Sequence, residues 1–160
     1  MKWGAKISLL IILLIVVISA YWVGYWNGRF GDWLDAAEPP KPTITVDGKK
    51  VGLVRGSYSW RERPSLLPFW DSGKAVIADS IGPIEYFRLH PDQSVSVKAG
   101  AMIEAEPPEG IVQFDLMNET QEGKVDPYRV PAEKGKTIYS LDMKWPAQGR
   151  ASYYFMLEVK

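Results

Sequence analysis

Hydrophobic positions follow two regimes along this chain. Residues 7–28 form an uncharged run between Lys6 and Arg29, and its first half is almost pure Leu, Ile and Val. At about 1.5 Å per residue such a run makes a helix of roughly 33 Å, enough to cross a bilayer core. The pattern predicts one transmembrane helix over 7–28. Trp22, Trp26, Phe30 and Trp33 recur at helical spacing and extend it with an aromatic stripe, either an interface anchor or a docking face for a partner helix.

After residue 40 the period changes to two. Residues 43–46 are β-branched and precede Asp47-Gly48, a strong hairpin turn signal, with a return strand over 50–54. Further strands are predicted over 56–61, 75–79, 84–89, 94–98, 101–106 and 111–116. Residues 62–74 read as a loop. In 111–116, Val112, Phe114 and Leu116 alternate with Gln113 and Asp115. The clearest alternation comes last. Tyr139, Leu141, Met143 and Trp145 face one way in 137–145, and Tyr153, Phe155, Leu157 and Val159 do so in 152–159. Eight or nine short strands without a second helical period predict an all-β fold. We expect an immunoglobulin-like β-sandwich ectodomain preceded by a single N-terminal transmembrane helix.

Charge orients the helix. Lys2 and Lys6 precede it, whereas Arg29 is followed by Asp32, Asp35 and Glu38. The positive-inside rule places the amino terminus in the cytoplasm and everything beyond residue 28 outside. Trp3 at one end and Tyr21, Trp22, Tyr25 and Trp26 at the other are the expected membrane-interface residues. A retained signal anchor is favoured. The alternative is a signal peptide cleaved near Ala20, after Ile18-Ser19-Ala20, which would release a secreted domain. The organisation reads as 1–6 cytoplasmic, 7–28 transmembrane, 29–42 a juxtamembrane segment and Pro-rich spacer, and 43–160 the extracytoplasmic domain.

Composition narrows the chemistry. Basic and acidic residues number 19 each, with three of each in the first 38 residues, so the exported part is also balanced. No basic field suggests nucleic acid. There is no Cys and a single His, His90, which leaves no zinc or copper ligand set and no expected cofactor. A Ser-His-Asp triad would need His90, and no nucleophile motif accompanies it, so His90 reads as a turn residue. Glu104, Glu106 and Glu109 surround Pro107-Pro108 and read as a solvated edge, with an envelope-polymer hydrolase as the rival.

Two stretches carry binding chemistry. Lys50, Arg55, Arg61 and Arg63 accompany Tyr58 and Trp60, a mix of guanidinium forks and aromatic faces suited to an anionic polymer or a peptide; the favoured alternative makes Tyr58 and Trp60 core residues and the arginines ordinary rim charges. Leu66, Leu67, Phe69 and Trp70 put apolar bulk in the expected loop, either to plug the end of the sandwich or to meet a partner.

Gly56-Ser57-Tyr58-Ser59-Trp60, followed by Ala78-Asp79, resembles a pattern in uncharacterised membrane-anchored or exported envelope proteins of spore-forming Gram-positive bacteria. Many of these carry Cys at the position of Ser59 and another at that of Ile77. The resemblance implies bacterial export and a β fold and implies no activity. The disulfide it implies has no cysteines here. The expected role is therefore non-catalytic: a binding or accessory module at the outer face of the cell membrane, part of an envelope complex or a ligand sensor. Its expected partners are the lipid bilayer and another membrane protein or an envelope polymer. An envelope-polymer enzyme and a structural spacer are the alternatives.

Overall fold

A computed structural model describes residues 3–64, 73–121 and 126–160. Helix α1 spans Trp3–Phe30. Its residues 6–30 are long and apolar enough to cross a membrane, and they are not buried against the rest of the chain. A surface of Leu, Ile and Val on every side suits lipid and not a protein core. Trp26 and Phe30 are the exceptions, covered side chains whose rings meet at 4.5 Å, and Phe30 meets Trp33 edge-on at 5.0 Å. Tyr21, Trp22 and Tyr25 are exposed, and Arg29 donates to the Tyr25 hydroxyl. The Trp3 side chain lies outside the described residues.

The remainder is mostly β. Strands β1 (Thr43–Val46), β2 (Lys49–Lys50), β3 (Val54–Arg61) and β4 (Ala75–Ala78) precede a short helix, α2 (Pro83–Leu89). Then follow β5 (Ser94–Val97), β6 (Ile103–Glu106), β7 (Gln113–Asn118), β8 (Gly135–Trp145) and β9 (Gly149–Val159). A small antiparallel sheet runs β2-β1-β6, and a larger one runs β4-β3-β9-β8-β7. The spine is the β8–β9 hairpin, in register from Gly135↔Val159 to Trp145↔Gly149. One edge of β9 serves two partners: β3 pairs antiparallel along its first half, and β5 pairs parallel along its second.

Alternation sets the core. Tyr139, Leu141, Met143, Trp145, Tyr153, Phe155, Leu157 and Val159 are all buried, as their period of two predicts. They share one cluster with Ile44, Val46 and Ile103 of the small sheet. Tyr139 stacks flat on Phe155 at 5.0 Å, and Trp60 meets Trp145 edge-on at 5.2 Å. Burial pushes the Tyr139 hydroxyl pKa up to about 12, and its oxygen has no hydrogen-bond partner.

Several local expectations are corrected. Residues 84–89 are not a strand but the body of α2. Pro83 sits in its first turn, where a missing N–H costs nothing, and Arg88 pairs with Glu85 one turn back at 3.3 Å. The helix buries Phe87 against Tyr154 and Met156, so it covers the outer face of β9. The return strand after Asp47-Gly48 is just Lys49–Lys50, followed by one more bond from Val51 N to Ile44 O, and the chain then crosses to the larger sheet. Val112 precedes β7 and is 64% exposed, although alternation would bury it. A bulge lies between Arg55 and Tyr58, and at Gly56 an added Cβ would lie 2.4 Å from the Tyr154 ring.

The proline-rich segment, expected to stand the domain off from the membrane, is seated on the domain. Leu34 donates its N–H to Gln148 Oε1 at 2.7 Å and accepts from Gln148 Nε2 at 3.0 Å. Trp60 Nε1 donates to Ala36 O, and the Tyr153 hydroxyl donates to Pro39 O. Pro39 is fully buried. The segment is a strap along the inner face of β3 and β9.

Candidate functional site

The outer face of the larger sheet is open beyond α2. Side chains alternate, so β9 presents Arg150 and Ser152 there, β8 presents Asp142 and Lys144, β3 presents Ser57, Ser59 and Arg61, and β7 presents Gln113 and Asp115. Cross-strand register sorts them into rows. Ser59, Arg150, Lys144 and Gln113 stand opposite one another across four strands. The next row holds Ser152, Asp142 and Asp115.

The acidic row is satisfied locally. Ser152 Oγ donates to Asp142 Oδ1 at 2.5 Å, and Gln113 Nε2 donates to Asp115 Oδ2. The cationic row is not. Lys144 and Arg150 face each other directly, an arrangement that repels, and neither has an acidic partner among the described residues.

Two clefts meet at this row. One, of about 410 Å³, is lined by Arg61, Lys144 and Arg150, by the apolar edge Ala75, Val76 and Ile77, and by the β8–β9 turn. Among the described residues its wall has no carboxylate. The other, of about 490 Å³, lies toward Asp79, Asp142 and Ser152. Ser59, Ile77, Lys144 and Arg150 border both. Ile77 is 77% exposed on edge strand β4. The turn is fixed by close approach: a Cβ on Gly149 would lie 1.9 Å from Ser59 O. Arg61 N donates to Gln148 O at 2.8 Å, which joins β3 to the same turn.

The structure distributes the sequence-derived binding residues over different surroundings. Trp60 is 2% exposed, with its N–H held by Ala36. Tyr58 packs against the core and lies under the Arg55 guanidinium at 5.3 Å. Arg55 bonds Glu38 of the strap at 2.7 Å. Burial opposes the charge of Arg55, but Glu38 and the Tyr153 hydroxyl outweigh it and raise the pKa. Burial also raises the pKa of Tyr153, more than Arg55 lowers it. Arg61 lines the first cleft, whereas Arg63 is half-buried beyond it. Leu66, Leu67, Phe69 and Trp70 lie outside the described residues.

Lys144 and Arg150 were missed by sequence reasoning. The available signal was their symmetry about residues 145–149, since a hairpin there puts them side by side. His90 caps α2: its ring stacks on Tyr86 at 4.4 Å, and its Nδ1 lies 2.9 Å from Tyr86 O. Glu104 and Glu106 are exposed on β6, opposite Thr45 and Thr43. Among the described residues, no three His, Cys, Asp or Glu side chains gather as a metal site requires. No protein-family model, curated protein or solved structure matches the chain.

Proposed function

We propose that this chain is a single-pass, membrane-anchored binding module without catalysis of its own, with α1 retained in the membrane, the amino terminus in the cytoplasm and the sheets outside. The observation that carries this reading is the strap. The chain leaving α1 is bonded into the domain at Leu34, Ala36, Glu38 and Pro39. A domain fastened this closely to the end of an apolar helix suits an anchor that stays. Two sheets sharing one core support a β-sandwich reading, immunoglobulin-like in the loose sense. The open outer face, where Lys144 and Arg150 stand side by side without an acidic partner among the described residues, supports a binding role.

The test is the protein's own amino terminus and topology. Mass spectrometry of the carbonate-washed membrane fraction should find the terminal peptide ahead of α1, and protease added to intact cells should digest the β domain. A chain beginning at Tyr21 in the medium, or a domain protected inside the cell, overturns the reading.

A further inference from the structure

Resting on the anchored reading above, we propose that the cation-lined cleft seats the phosphate of an anionic phospholipid headgroup from the leaflet in which α1 ends. Three observations converge on it.

The first is position. Leu34 is bonded to Gln148, which lies in the wall of the cleft, and Leu34 is only four positions past the end of α1 at Phe30. Four residues reach at most about 14 Å. Trp22, Tyr25 and Trp26 mark the interface end of α1. The β8–β9 turn is thereby held near the headgroup layer, and the opposite end of β9 is not.

The second is charge. Arg61, Lys144 and Arg150 converge on a cleft whose wall, among the described residues, has no carboxylate. Lys144 and Arg150 stand directly opposite each other without acidic partners among the described residues. Such a pair is destabilising unless an anion lies between. A guanidinium fork and an ammonium together match the oxygens of a phosphodiester, and Ser59 Oγ borders the same space.

The third is the apolar wall. Ile77 is 77% exposed on edge strand β4, on the same outer face as Ser59 and beside the cations. A soluble polyanion would leave it in water. A lipid offers a phosphate and an apolar glycerol–acyl region side by side, and both parts of the cleft are then used.

The experiment places the full-length chain in nanodiscs of equal phosphatidylglycerol and phosphatidylcholine and counts co-released lipids by native mass spectrometry. Wild type should retain phosphatidylglycerol with a preference of about tenfold or more, since each cation near the surface contributes about fivefold. The triple variant Arg61→Gln, Lys144→Gln, Arg150→Gln should lose that preference. A matched triple variant at the other end of β9, Lys50→Gln, Lys134→Gln, Lys160→Gln, should keep it. Equal retention of both lipids by wild type overturns the proposal, as does equal loss in the two triple variants. Displacement of phosphatidylglycerol by millimolar inorganic phosphate also overturns it, because the occupant would then be a soluble anion. A chain that fails to enter nanodiscs at all brings down the anchored reading with it. One that enters but shows no preference brings down only the lipid site.

Discussion

Ser59 and Ile77 stand directly opposite each other on antiparallel β3 and β4, both on the outer face of the sheet. Directly opposed residues have Cα atoms about 4.5 or 5.5 Å apart, within the span a disulfide bridges. The double variant Ser59→Cys, Ile77→Cys should therefore oxidise to a single bridge. The closed loop holds about 19 residues, and the chain-entropy estimate for that length is about 3 kcal/mol. For a domain of this size the melting temperature should rise by roughly 10 °C on oxidation. Neither side chain is in the core, so the change costs little packing: Ile77 is exposed and Ser59 is half-buried.

The assay is thiol counting by maleimide mass shift after mild oxidation, followed by melting with and without reductant. Register is tested by a control, Ser57→Cys with Ile77→Cys. That pair is a diagonal neighbour at about 7–8 Å, too far for an unstrained bridge. If the first pair keeps two free thiols, or the diagonal pair oxidises as readily, the β3–β4 register is wrong. The wall of the cleft would then be wrong with it.

Two further expectations concern single side chains. Tyr139→Phe removes a buried hydroxyl that has no partner, so it should stabilise the chain by about 1 kcal/mol in urea titration; a loss of that size would mean the oxygen is bonded. The same residue sets a pH dependence: its folded pKa of about 12 exceeds the ordinary value of 10.0, so the unfolded chain releases its proton first, and stability falls as pH rises from about 10 toward 12. The slope corresponds to about 1.4 kcal/mol per pH unit, and Tyr139→Phe should reduce it; an unchanged alkaline limb would refute this assignment. Gln148→Ala strips both bonds from the Leu34 backbone and should cost about 2 kcal/mol, with faster amide exchange at Leu34. Unchanged exchange there would mean that the strap is held by its other contacts.

Alternation carried the legible part of this fold. Tyr139 to Trp145 and Tyr153 to Val159 are long enough that a period of two cannot be confused with a helix, and every inward position is buried as the pattern requires. Residues 84–89 defeated the same reasoning because six residues cannot separate the two periods. There the better signal was chemical: Gly82-Pro83, then Glu85 and Arg88 at helical spacing. Tyr154 and Met156 are equally instructive. Their strand positions point outward, yet both are buried because α2 lies over them. The cationic row was unreadable for a different reason. Lys144 and Arg150 each look like an ordinary exposed charge, and only pairing brings them together. For Trp60 the core reading prevails over the stacking one, because Ala36 and Trp145 lie against it.

The strap decides whether the cationic cleft can sense a membrane at all. Had residues 31–42 stood free as an extended proline-rich spacer, they would hold the domain up to about 37 Å away. At physiological ionic strength a charge so far off is screened several times over, because the Debye length is about 8 Å. The prolines do the reverse here. Pro39 is buried, its carbonyl accepts from Tyr153, and the segment runs back along β3 and β9. The stiffness that would have made a spacer now shapes a strap that fits a groove in the sheet. The carboxamide of Gln148 closes it at the helix end, two residues from Arg150 and in the same turn that walls the cleft. Anchor and cleft thus share one turn, and a displacement of α1 that pulls on Leu34 must also move that wall. Under the proposed reading, the lipid contact and the anchor would not be independent devices. The bonds at Gln148 would keep the cations within reach of phosphate, and a bound phosphate would in turn oppose detachment of the strap.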